Sequence, residues 1–249
     1  MKKIIHPEYL RLEPEFEKIL NGDYTPDIVF CNKRNVVEKV TVAGEEFVVK
    51  RYKQPPLVNR VAYCLFRKSK ARRAYEYAIK LLNCGVDTPF PVACFEFYSN
   101  GLFDNGVFIS KYVPYSLLEN VYEESSSVEE REKILDGFVD FMLSVHKKGI
   151  MPMDMNGGNI FYHKDEETGR YMYTLTDINR MKFGVSLGLV DMAFSFEQCF
   201  TDLDRLIDLA RIYADKIDQH IIVVLYYILF FRMRRAERTR LKKKILNKK

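Results

Sequence analysis

"GIMPMDMNGGNIFY", residues 149–162, sets one acid, Asp154, and two asparagines in a Gly- and Met-rich loop. What flanks the loop fixes its setting. Upstream, Ser127 and Glu130 form an S-x-x-E capping box, and Ile134, Phe138, Met142 and Val145 recur at helical spacing, which predicts an amphipathic helix ending before Gly149. Downstream, "NIFYH" and "YMYTLTD" predict a hairpin across the 164–170 turn, with Asp177 at its end. Asp154 and Asn159 stand in the spacing D-x-x-x-x-N, and Asp177 follows Asp154 by 23 residues.

Phosphoryl transfer calls for such a set. One carboxylate orients and accepts the proton of an attacking hydroxyl, while an amide oxygen and a second carboxylate hold Mg²⁺ against the phosphates. A lysine must then reach the phosphates. Lys50 is the candidate, in "FVVKRY" at the centre of an apolar strand where a cation needs a reason, and Val48 shares its strand face, placed to cover an adenine ring. Each element alone has an ordinary explanation, since Asp and Asn favour turns and a strand lysine can snorkel. The joint order of strand lysine, helix, strand, helix, loop, hairpin and terminal Asp argues for chemistry. Glu76, in the helix after the strand, is the natural ion-pair partner of Lys50. The helical wheel also sets it beside Arg72 and Lys80, where a solvated Glu76–Lys80 pair is the alternative.

Working outward, the first half reads as sheet. "NVVEKVTVAGEEFVVKRY" gives two β-branched runs, 36–42 and 46–52, joined around Gly44 as in a hairpin. "KSKARRAYEYAIKLLNCG" reads as a helix stopped by Gly85, and "GVFISKYV" (106–113) as another strand. An antiparallel sheet with one helix, followed by a mainly helical half, predicts an α+β bilobal fold. The expected boundaries are an N-terminal lobe over about 24–111, a C-terminal lobe over about 112–220 and a terminal segment over 221–249. Neither repeats nor low-complexity linkers interrupt the chain.

The chain has 249 residues and a net charge of +5. From Arg232 onward ten Lys or Arg face one Glu, so +9 sits in the tail and the rest sums to −4 (5 minus 9). Just before the tail, "IIVVLYYILFF" (221–231) is apolar over eleven residues, where a bilayer-spanning helix needs about 20. Two readings compete: a buried core helix with a solvated basic end, or a surface anchor holding anionic lipid headgroups, which is preferred. No aromatic stacking motif accompanies the charge, so no nucleic acid is expected. Five widely spaced cysteines without a C-x-x-C pair suggest neither disulfides nor zinc and fit a reducing compartment. The N-terminal stretch reaches His6, Pro7 and Glu8 before an apolar core of signal-peptide length develops, so export is not expected.

From about Asp27 to Arg211 the chain resembles the lipopolysaccharide kinase family, protein-kinase-like bacterial enzymes acting on a Kdo or heptose sugar of the inner core. "FVVKRYK", "RKSKARRAYEYAIKLLNCGVDTPFPVA", "VHKKGIMPMDMNGGNIFY" and "LTDINRMKFG" carry the likeness. It implies a protein-kinase-like fold, ATP and Mg²⁺ as cofactors, and work at the cytoplasmic face of the inner membrane on a sugar linked to lipid A. It further implies that Lys50 anchors phosphate with Glu76 as partner, that Asp154 is the catalytic base, and that Asn159 and Asp177 bind metal. Two departures stand out. Pro152 replaces the family's usual histidine two residues before the catalytic Asp, a group that braces the loop. In place of a glycine-rich phosphate loop, "CNKRNVVEKV" offers Lys33 and Arg34. The alternatives are a phosphotransferase acting on a soluble small molecule or protein, and a pseudokinase scaffold at the membrane.

Overall fold

Two units make up the chain, Met1–Pro114 and Tyr115–Lys249, and the computed structural model describes residues 1–33 and 35–246. The first unit runs β1 (Lys2–Ile5), a 3₁₀ turn (Pro7–Leu12), α1 (Glu13–Asn21), β2 (Ile28–Asn32), β3 (Asn35–Val42), β4 (Glu45–Tyr52), α2 (Leu57–Leu65), α3 (Lys70–Asn83), β5 (Pro91–Ser99) and β6 (Leu102–Lys111). Its strands form one antiparallel sheet in the order β1-β5-β6-β4-β3-β2.

The anticipated hairpin is β3–β4. Ala43 (φ 50°) and Gly44 (φ 80°) both turn left-handed, the geometry that matches strand twist in a two-residue connection. Register pairs Lys50 with Val37 on one side and Phe108 on the other, so the lysine sits in an interior strand. Alternation then sorts the strand. Phe47 and Val49 are fully buried against Tyr9, Leu12, Phe16 and Ile19, whereas Tyr52 packs with Ala71, Tyr75 and Cys94 beneath α3. Residues 2–21, unread in the sequence, thus supply an edge strand and the helical cover of one sheet face. The unit holds α1 and α2 in addition to the single helix expected.

The second unit runs β7 (Ser116–Leu117), a 3₁₀ turn (Leu118–Asn120), α4 (Val121–Glu124), α5 (Val128–Lys147), β8 (Ile150–Pro152), β9 (Ile160–Lys164), β10 (Tyr171–Leu175), β11 (Met181–Phe183), α6 (Leu189–Phe196), α7 (Leu203–Lys216) and α8 (Ile221–Leu246). Its strands make a three-stranded sheet, β10-β9-β7, and a two-stranded one, β11-β8. Half of the expected capping box forms at the start of α5, where Ser127 caps the helix but Glu130 reaches the amide of Ser126 and not that of Ser127. Ser127 Oγ accepts from Glu130 N at 3.1 Å, and the Glu130 carboxylate accepts from Ser126 N at 2.7 Å. The four predicted apolar positions of α5 are all buried.

The apolar run and the basic tail form one continuous helix, α8. Val224 and Ile228 are buried, and Phe231 meets Phe194 of α6 edge to face. Two of the tail's cations are engaged on the unit itself. Arg232 donates to the carbonyls of Phe200 and Thr201, and Arg235 pairs with the buried carboxylate of Glu197. Burial pushes Glu197 upward against the pull of Arg235 and Arg232. Arg238, Arg240 and Lys242–Lys244 lie exposed beyond them. Among the described residues no helix is long and apolar enough to cross a membrane, and all five cysteines are free thiols.

His146, near the end of α5, is buried with neither ring nitrogen partnered among the described residues. Burial drives its pKa from 6.5 down to about 4, with Asp191 opposing weakly. The folded state therefore holds it neutral while the unfolded chain protonates first, so its contribution is complete above about 6.5 and is lost as pH falls toward 4. Chemical denaturation at stepped pH should show His146→Leu losing about 3 kcal/mol less stability than the parent across that window. Parallel curves for the two proteins would contradict this account of the side chain.

Candidate active site

The quoted loop is built from the backbone upward. Gly149 (φ 68°) ends α5 and turns the chain into β8, whose register pairs Ile150 with Phe183, Met151 with Lys182 and Pro152 with Met181. Met153 N then donates to Arg180 O at 3.0 Å, continuing the tie one residue further. Pro152 stands where the family resemblance would place a bracing histidine, and here backbone pairing joins the loop to the segment after Asp177.

Asn159 closes the loop. Its side-chain Nδ2 donates to Asp154 O at 3.0 Å, and its own carbonyl accepts from Thr176 N at 2.8 Å and from Thr176 Oγ1 at 3.1 Å. Thr176 immediately precedes Asp177, so these bonds bring Asp154, Asn159 and Asp177 together. Asp177 adopts φ 49°, left-handed backbone that is uncommon outside glycine but that Asp and Asn enter more readily than other residues. Asn179 Nδ2 donates to Asp177 Oδ1, and Asn179 is buried with its own Oδ1 unpartnered among the described residues.

Sequence reasoning overlooked Arg180. Its guanidinium reaches Asp154 Oδ2 at 3.3 Å; both side chains are well exposed, so the pair orients the carboxylate more than it stabilises the fold. The readable signal was a cation three residues beyond the hairpin-end acid, in "DINR". It also overlooked why the loop carries two glycines. A Cβ on Gly157 would stand 2.5 Å from the Cys199 carbonyl and 3.1 Å from Glu119 Cα, both fixed backbone. A Cβ on Gly158 would meet the Glu119 carboxylate at 2.9 Å, a group that can swing away.

The other anticipated residues belong to the first unit. Lys50 and Val48 are half-buried on one face of β4, and the Lys50 ammonium lies 5.6 Å from the Tyr52 ring centroid. Lys33 is exposed in the β2–β3 connection, while Arg34 lies outside the described residues. Glu76 accepts from Lys68 at 2.6 Å and from Arg72 at 3.0 Å. Burial would raise its carboxyl, but those two cations outweigh it and hold the group below its ordinary value. The i−4 neighbour read from the wheel, Arg72, is thus a partner.

The chain is similar to a solved structure described as WaaP in complex with acyl carrier protein, at 14% identity and a TM-score of 0.58, over 96% of this chain and 99% of that one. The fold is kinase-like. No protein-family model matches the sequence, and no curated protein matches it either.

As a cation site the loop offers oxygen donors: the Asp177 carboxylate and, because Nδ2 of Asn159 is engaged with Asp154, the Asn159 amide oxygen. Among the described residues no three His, Cys, Asp or Glu side chains gather as a metal cluster. Such a sparse hard-oxygen set fits Mg²⁺, which commonly takes one or two carboxylates and completes its shell with phosphate and water.

The two glycines give a contrast that can be measured. Gly157→Ala should lower thermal stability by several degrees, on the order of 2 kcal/mol, and displace the loop, whereas Gly158→Ala should stay within about 1 kcal/mol. Equal melting temperatures for the two variants would show that the Cys199 contact does not hold the loop.

Proposed function

We propose that this protein is an ATP-dependent kinase that transfers the γ-phosphate to a hydroxyl of a Kdo or heptose sugar in the lipopolysaccharide inner core. The observation that carries the reading is the convergence of Asp154, Asn159 and Asp177 through Asn159 and Thr176. The motif resemblance and the fold shared with WaaP support the same direction.

In this reading Asp154, steadied by Arg180, accepts the proton of the sugar hydroxyl as it attacks. Asn159 and Asp177 hold Mg²⁺, whose role is to neutralise charge on the transferring phosphoryl group. Lys50 supplies a second positive charge to phosphate, Glu76 keeps Lys68 and Arg72 in place, Val48 covers adenine, and Lys33 with Arg34 replaces the missing glycine-rich grip. The exposed cations of α8 beyond Arg235 meet an anionic membrane surface at the cytoplasmic face. Acyl carrier protein is a further partner to test, since the fold neighbour was solved with it.

Purified protein with Mg²⁺ and ATP should add one phosphate to deep-rough lipopolysaccharide or Kdo-lipid A, read by mass spectrometry of the lipid, and Asp154→Ala should lower the rate by at least about 10³-fold. Asp177→Ala should abolish Mg·ATP binding in calorimetry, and unchanged nucleotide affinity there would sink the metal assignment. Failure of the parent protein to bind nucleotide at all would turn the reading toward a scaffold.

A further inference from the structure

α2 is inside out. On a nine-residue helix the side chains of Leu57, Val61, Leu65 and Val58 fall within about 100° of arc, one continuous apolar stripe. A helix of a globular unit ordinarily turns such a stripe inward. Here Leu57 is 62% exposed, Val58 81% and Leu65 65%, and Phe66, just past the end, reaches 87%. The face toward the sheet hairpin is the more polar one. Arg60 Nε donates to Phe103 O at 2.7 Å, Cys64 Sγ accepts from Phe103 N at 3.1 Å, and Tyr63 meets Phe103 edge to face. No α2 residue is fully buried.

The segment that carries α2 has charge of one sign, and acids from elsewhere in the unit neutralise part of it. From Lys53 to Arg73 the sequence carries seven Lys or Arg and no Asp or Glu. Arg60 is tied to Asp104, and Lys68 and Arg72 to Glu76; Lys53 and Arg67 are exposed. An apolar stripe bordered by cations, on a helix held to its unit by the opposite face, is the arrangement that lies in the plane of an anionic bilayer. Acyl chains take the stripe, and headgroup phosphates take the lysines and arginines. An acidic protein would satisfy the cations. Its own apolar groove could cover the stripe as well, and quenching by lipid of a probe placed on the stripe separates the two.

We infer that α2 and Phe66 form a membrane-docking surface that inserts shallowly into anionic lipid, separate from the basic end of α8. This inference does not rest on the kinase reading, because lipid insertion is measurable without turnover.

The chain contains no tryptophan, so Phe66→Trp creates a single reporter at an 87% exposed position. In the full-length protein its emission should shift to the blue on adding phosphatidylglycerol-containing vesicles and be quenched by lipids brominated along the acyl chain, with neither effect on pure phosphatidylcholine. Val58→Ser with Leu65→Ser, both at exposed positions, should weaken sedimentation with the anionic vesicles by about tenfold or more while leaving the melting temperature unchanged. Vesicle binding that leaves the introduced tryptophan unshifted and unquenched would overturn the inference and leave the α8 cations as the contact. Absence of vesicle binding would overturn it too. A blue shift with acyl carrier protein and none with lipid would reassign α2 to protein docking.

Discussion

Asn159 ties the quoted loop of the second unit to the end of its hairpin. Its side chain reaches back to the Asp154 carbonyl, and its own carbonyl receives both the amide and the hydroxyl of Thr176. One residue therefore fixes the distance between a loop and the end of a hairpin that lie far apart in sequence. Charged groups alone would not do this, since the Asp154–Arg180 pair is solvent-screened. Hydrogen bonds from a small amide have little slack, and a shift of an ångström in either acid would lengthen them past usefulness.

The loop's other supports are backbone as well. β8 and β11 pair across Pro152 and Met181, and Gly157 lies against the Cys199 carbonyl. Proline is tolerable in β8 because this is a two-stranded ribbon, in which one edge of each strand needs no partner. Backbone pairing thus joins the loop to the segment after Asp177 without a side chain at position 152 taking part.

Local pattern made much of the fold legible. The β3–β4 and β9–β10 hairpins, α3 and α5 were readable because turn chemistry, capping and periodicity agree within each segment. Among the candidate residues, Asp154, Asn159 and Asp177 were singled out by spacing, and hydrogen bonds through Asn159 and Thr176 hold them near one another. What stayed hidden depends on tertiary context. Residues 2–21 become strand and helix by packing on Phe47 and Val49, which no local signal announces. α2 carries an amphipathic pattern whose inward face is the less apolar one, so periodicity alone misdirects. Arg180 comes beside Asp154 only through the backbone pairing of its segment with β8, and Glu76 has more cations around it than the wheel alone could rank.

The continuity of α8 turns its charges into a rod instead of a tether. Twenty-six helical residues extend about 39 Å, and the stretch up to Arg235 is clamped through Val224, Ile228, Phe231 and the Arg235–Glu197 pair. The azimuth of each later cation is therefore set by packing several turns upstream. Adding or deleting a single residue between Arg235 and Arg238 would swing every following lysine and arginine by about 100° around the axis while leaving the composition almost untouched. Two chains with the same tail charge, differing by one residue of phase, would present that charge in different directions.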